Sequence, residues 1–221
     1  MGFIEINSDF GSQTQNLIFF ILSISLVWFL LIVYSFKTLG LKKTIRYFLP
    51  MMIVGLFIES GGVATGNYYY PGYFFYINVL GGAVPLVIIL GWSANLFLFI
   101  NMAKIFVKEV FKKQNKIQLV LISLIASVFA ILLDLLQDPL AHHNHWWVWT
   151  KEVSLGVTFY DVPLWNFRGW FILIFFMTLT TLLIDKSGLS ENRKLIISLS
   201  STALIGGIIL LIRVIMTNIG L

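Results

Sequence analysis

Residues 16–36, NLIFFILSISLVWFLLIVYSF, carry no charged side chain from end to end. A helix needs about 20 apolar residues to cross the hydrocarbon core of a bilayer. This stretch supplies them, with Trp28 and Tyr34 inside it. It lacks a basic leading region and a small-residue cleavage site, so it reads as a retained span rather than a signal peptide. Five further runs follow at 45–65, 80–101, 117–137, 163–184 and 195–216; their acids are Glu59 and Asp134, and past Arg46 at the start of the second their bases are Arg168 and Arg213. The expectation is an all-α, polytopic integral membrane helical bundle of about six transmembrane helices, one domain over residues 1–221, without soluble domain, linker or internal repeat.

Composition supports that reading. Of 221 residues 58% are hydrophobic and only 11% charged, where soluble domains carry about a quarter charged residues. A soluble chain of this length has no core large enough for so much apolar surface. There are no cysteines, which excludes disulfides, thiolate nucleophiles and Cys-ligated metals.

The net charge of +5 comes from short basic loops that flank apolar spans. It therefore reads as membrane orientation and not as a nucleic-acid surface. Lys37, Lys42, Lys43 and Arg46 fill the first loop; Lys104, Lys108, Lys112, Lys113 and Lys116 the third; Lys186, Arg193 and Lys194 the fifth. Twelve of the fifteen basic residues thus lie in three alternate loops. The second loop, 66–79, has none, the fourth has Lys151 before Arg168, and the N-terminal arm holds Glu5 and Asp9. The positive-inside rule then puts both termini and the even loops outside a cytoplasmic membrane.

Ionisable residues inside a membrane are costly and mark function by default. Glu59 falls about two turns inside the outer end of the second span. Asp134 and Asp138 are four apart at the outer end of the fourth, hence on one helix face. His142, His143 and His145 follow beyond Pro139, which does not continue an undisturbed helix. Asn166 and Arg168 open the fifth span. Four elements remote in sequence so bring polar groups to one membrane depth.

Each has a plainer reading. Arg168 is either a partner for the carboxylates or a snorkelling anchor. Glu59 and Asp134 pair with it for chemistry or only to hold helices together. The histidines read as interfacial residues or, with a carboxylate, as metal ligands, but their spacing matches no standard ligand pattern and no metal site is expected. Asn95 reads as an interhelical hydrogen-bonding residue. Tyr68, Tyr69, Tyr70, Tyr73 and Tyr76 crowd the second loop, and Trp146, Trp147 and Trp149 the fourth. They form an aromatic belt at headgroup level or the walls of an entrance for a long apolar ligand. The segment 144–156 reads as interfacial or re-entrant rather than helical.

Several segments together carry a resemblance. They are Glu59 with Thr65-Gly66-Asn67-Tyr68; Pro85-Leu86 leading to Leu90-Gly91-Trp92; Asp134-Leu135 with Asp138-Pro139; Trp147-Val148-Trp149; and Tyr160-Asp161-Val162-Pro163 with Asn166-Phe167-Arg168-Gly169-Trp170-Phe171. In this order, over roughly residues 55 to 175, the chain resembles the membrane-bound carotenoid biosynthesis proteins of the bisanhydrobacterioruberin hydratase type. The resemblance implies addition of water across a terminal carbon–carbon double bond of an acyclic carotenoid, giving a tertiary alcohol. It implies a lipophilic carotenoid and water as partners, in membrane lipid.

That reaction makes physical demands that the residues can meet. An isolated alkene is a poor base, so hydration needs a strong, well-placed acid, and a carboxyl group kept protonated by burial suits. Asp134 is the first choice and Glu59 the alternative, with Asp138 as the base that orients water. Arg168 and Asn166 are expected to fix the carboxylates. Trp92, Trp147 and Trp170 offer π faces to a cation at about 0.5–2 kcal/mol each. With Tyr68, Tyr70 and Trp149 they make the expected substrate-binding set. This chemistry calls for no redox cofactor, phosphate loop or metal. End-group cyclisation or isomerisation begins with the same protonation. A small proton-coupled transporter would instead spread polar groups through the membrane depth.

Overall fold

The computed structural model describes residues 10–110, 117–150 and 157–218. Glu5, Asp9, Lys112, Lys113, Lys116 and Lys151, which entered the orientation argument, lie outside these residues, as does the end of the 144–156 segment. Six helices make the bundle: α1 (Phe10–Leu39), α2 (Leu41–Ala64), α3 (Leu86–Val110), α4 (Ile117–His143), α5 (Leu164–Lys186) and α6 (Glu191–Asn218). At 1.5 Å rise per residue they run about 35–45 Å. The first five are long and apolar enough to cross a membrane. Large apolar side chains such as Phe19, Leu22, Phe29, Leu132, Leu136 and Phe176 point outward. So much exposed apolar surface is suited to lipid and not to water. The chain is a multi-pass, all-α membrane bundle.

Three of the departures from the expected span boundaries have a clear local setting. α3 starts at Leu86 rather than 80, because Leu80–Pro85 belongs to a β-hairpin. α2 starts at Leu41 and so includes Arg46, which is not a loop residue but a buried one, 1% exposed. Its guanidinium pairs with Asp185 of α5 and, at 3.2 Å, with Glu191 of α6. Tyr47 also donates to Asp185, and Lys104 of α3 donates to Tyr47 at 2.9 Å. This network ties the helices at the basic end of the bundle. Finally, α4 does not stop near 137 but passes through Pro139 to His143. A proline removes one ladder hydrogen bond, and packed neighbours in a membrane bundle tolerate that loss.

α3 lies at the centre, against α1, α2 and α4; α4 packs on α5, and α2 on α6. The middle of the bundle is apolar: Met51, Val54, Leu96, Ile100, Ala130 and Ile174 are almost wholly buried.

At the end away from the basic network, three small β pairs form a cap. They are β1 (Tyr68–Tyr69) with β4 (Val148–Trp149), β2 (Tyr76–Val79) with β3 (Gly82–Pro85), and β5 (Thr158–Phe159) with β6 (Val162–Pro163). No internal repeat was expected, yet the backbone contains one. α2 ends with Gly66 at φ 72°, the Gly66 N–H bonding Val63 O and the Asn67 N–H bonding Gly62 O. α4 ends with His145 at φ 56°, the His145 N–H bonding Val63's counterpart, His142 O, and the Trp146 N–H bonding Ala141 O. Both are Schellman endings, in which a left-handed residue closes the last turn. Each helix then enters a strand, a hairpin and a new helix. The two hairpin turns, Leu80-Gly81 and Tyr160-Asp161, have positive φ at both positions, as a type I′ turn requires. Each hairpin ends in Val-Pro-Leu, and each following helix reads Pro-Leu-x4-Gly-Trp, at 85–92 and at 163–170.

This alignment equates Glu59 with Asp138, Tyr68 with Trp147, Tyr70 with Trp149 and Trp92 with Trp170. Tyr69 corresponds to Val148, and those two residues pair with one another across β1 and β4. The two strands are therefore related by a local two-fold axis through that pair.

Candidate active site

Between the two units lies an open cleft of about 550 Å³, the space at its solvent-facing mouth included. Its wall combines Glu59 and Trp92 from the first unit with Asp138, Asn166 and Trp170 from the second. Tyr68, Tyr70, Trp147 and Trp149 close it on the cap side, and Phe20 and Ile24 of α1 complete it. Aromatic rings thus surround two carboxyl groups.

Glu59 is 7% exposed and is held by three donors. Its Oε2 accepts from the Tyr68 hydroxyl at 2.6 Å and the Tyr70 hydroxyl at 2.5 Å, and its Oε1 from the Trp92 indole N–H at 2.6 Å. Gly62 makes this possible, since a Cβ there would overlap the Tyr68 ring. Burial, and after it the charge of Glu59, holds the Tyr70 hydroxyl well above the usual tyrosine range, so it stays a donor. Three hydrogen bonds of this kind suit an ionised carboxylate.

Asp138 has different company. Asn166 Nδ2 donates to Asp138 Oδ2 at 2.6 Å and to Asp134 Oδ2 at 2.9 Å, one hydrogen to each. The two carboxyl groups, one helical turn apart, are close enough for each to feel the other's charge, and Trp147 lines the cleft beside Asp138. Asp134 is 1% exposed and stands behind Asp138, outside the cleft wall. Its Oδ1 is buried and has no hydrogen-bond partner among the described residues.

Of the residues singled out from sequence, Glu59, Asp138, Asn166, Tyr68, Tyr70, Trp92, Trp147, Trp149 and Trp170 meet at the cleft. Arg168 does not meet them. It is exposed, and no ion pair to Asp134 or Asp138 forms among the described residues. Helical geometry explains the departure. Asn166 and Trp170 are one turn apart and face inward, whereas Arg168, two residues from either, is rotated about 200° away. Among the described residues Asn166 alone bridges the carboxyls.

The histidines serve the cap. His142 Nδ1 accepts the Trp149 backbone N–H at 3.2 Å, and His145 terminates α4. Among the wall residues that had not been singled out as site residues are Phe20, Ile24 and Gln137, and Asn95, read as an interhelical hydrogen-bonding residue, lines the wall as well. Gln137 adjoins Asp138 and was within reach of a sequence argument. Phe20 was not, because one phenylalanine in a uniformly apolar span carries no signal. In the fold it stacks on Trp146 at 4.4 Å between ring centroids and thereby fastens α1 to the cap.

No curated protein and no solved structure matches the chain. A family model described as carotenoid biosynthesis protein matches residues 16–221. With that match over nearly the whole bundle, the chain belongs to the carotenoid biosynthesis protein family.

Proposed function

We propose that this protein is a hydratase of the cytoplasmic membrane that adds water across a terminal double bond of an acyclic carotenoid. The observation that carries the reading is the buried pair Asp134–Asp138, sharing one amide donor and opening through Asp138 onto an aromatic cleft. Two carboxyls in such contact do not both ionise readily, so the pair holds a proton. Asp138, which borders the cleft, delivers it, and Asp134 behind it shares the charge left over. This reverses the roles expected from sequence, where Asp134 was the acid.

The proton goes to the less substituted carbon of the terminal alkene and leaves a tertiary cation. Water adds to that cation through oxygen, and the resulting oxonium returns a proton to the aspartate pair. One alkene and one water are consumed, one tertiary alcohol is formed, and the pair is restored. The polyene lies in the bilayer with only its end group in the cleft. The apolar layer of Met51, Val54, Leu96, Ile100 and Ile174 between the cleft and the basic network argues against a proton-coupled transport path.

Expression in a bacterium that accumulates lycopene, with mass spectrometry of the extracted pigments, tests the reading. A gain of about 18 mass units per modified end, the mass of one water, is the expected result. Rearrangement at unchanged mass would make the protein a cyclase or isomerase, since both share the protonation step.

A further inference from the structure

We propose that Glu59 is the fixed counter-charge for the cation formed in the cleft, and that it works through the aromatic rings it binds rather than by contact. This rests on the hydratase reading and gives the second carboxyl of the cleft a role that proton transfer does not use.

The argument starts from the repeat. Glu59 and Asp138 occupy the same position in the two units, but their surroundings have diverged in opposite senses. One turn before Asp138 stands Asp134; one turn before Glu59 stands Gly55. Where the second unit has Asn166, the first has Ile88. The first unit therefore has neither the second carboxyl nor the amide that bridges the pair. A side chain at Gly55 is also sterically opposed, because a Cβ there would sit 3.1 Å from Trp92 Cγ. The space of the missing carboxyl is taken by the indole that donates to Glu59. One unit keeps a proton; the other keeps an anion.

Three donors around one carboxylate have two chemical consequences. Each lone pair engaged by a phenol or indole is less available to attack a carbocation, so the intermediate escapes capture as an ester. Conversely, a ring that donates its N–H or O–H to an anion becomes more electron-rich, and its π face attracts a cation more strongly. Trp170 stacks on Trp92 at 4.0 Å between centroids and 20° between planes, which extends that surface across the cleft. Tyr68 and Tyr70 meet edge to face at 5.7 Å on the cap side. The cleft is thus a receptor for a lipophilic cation, and a positively charged probe of similar shape will bind in it.

The test uses the full chain in detergent and a matched pair of probes, a prenyl dimethylamine, protonated at neutral pH, and its neutral all-carbon isostere. Binding is read by quenching of tryptophan fluorescence. Wild-type protein should prefer the ammonium by roughly tenfold, the order expected of desolvated cation–π contacts. Glu59→Gln should abolish that preference while leaving the affinity for the neutral probe unchanged; Trp92→Phe should reduce it, and Asp138→Asn should retain it. If Glu59→Gln keeps the preference, or weakens both probes alike, Glu59 is a structural knot and the proposal falls. The pigment assay separates this from the parent reading. Water gain with a preference indifferent to Glu59→Gln removes only the present proposal. Loss of preference without water gain leaves the cation receptor standing and removes hydration.

Discussion

Trp92 and Trp170 stack face to face at the same position of two repeated units, and of the two, among the described residues, Trp92 alone donates its indole N–H to a carboxylate of the cleft. The contact joins the halves of the site where their chemistry parts. On one side of the stack stands Glu59 with three donors; on the other, Asp134 and Asp138 divide a single amide. The proposed assignments of proton and charge rest on that asymmetry, and they can be separated by substitution.

Asp138→Asn should lower hydration by about 10²–10⁴-fold, the usual worth of a general acid. Asp134→Asn should cost less, because Asp138 still borders the cleft but no longer has a partner to share its charge. Product yield per folded protein, measured in the pigment assay, orders the two. An equal loss, or a greater one at Asp134, would return the acid role to Asp134.

Arg168→Gln should leave turnover within about threefold of wild type, as is usual for surface substitutions that leave buried contacts intact. Its side chain is exposed while Asn166 does the bridging. Asn166→Ala should instead lower both activity and the midpoint of thermal unfolding. Two buried carboxyls would lose their donor, at about 1–3 kcal/mol for each unsatisfied group.

Two glycines should fail in different ways. A Cβ at Gly82 would overlap the backbone of Ser60, which has nowhere to move, so Gly82→Ala should abolish accumulation of folded protein. At Gly62 the obstacle is the Tyr68 side chain. Gly62→Ala should yield folded protein in which Tyr68 is pushed off Glu59, and its ammonium preference should fall as in Glu59→Gln. Size-exclusion profiles and the paired probes distinguish the outcomes.

Alkaline pH should destabilise the cap. Burial raises the Tyr70 and Tyr73 hydroxyls above the ordinary value of 10.0. A tyrosine raised in the folded state ionises first in the unfolded chain. Its contribution to stability is therefore complete below about pH 10 and lost as pH rises beyond it. The unfolding midpoint should fall above that pH, and Tyr73→Phe should flatten the fall.

The spans and the depth of the polar residues were legible because charge is so costly in hydrocarbon that one acid in an apolar run stands out. Glu59, Asp134, Asp138 and Asn166 were found that way. Arg168 misled because depth says nothing of the helix face. The two units escaped notice since their sequences agree only in one short stretch, Val-Pro-Leu-x4-Gly-Trp at 84–92 and 162–170, and the rest of the likeness lies in backbone conformation: a glycine and a histidine hold the same left-handed position, and Leu-Gly and Tyr-Asp make the same turn. Arg46 was read as a loop cation because its partners, Asp185 and Glu191, are remote in sequence and meet it only when α6 packs on α2.

The pairing of Tyr69 with Val148 sets a schedule for biogenesis. The first half of the cleft emerges from the ribosome well before its complement, and at about 5–20 residues per second the interval is on the order of 4–16 s. During that time Glu59 and its aromatic donors lie in the bilayer without the acid pair, and the nascent chain can hold no reactive cation. In the proposed roles, acid and counter-charge meet only when β4 arrives to complete the ladder. On the proposed mechanism, chemistry that generates so aggressive an intermediate is thereby withheld until the vessel that contains it has been closed.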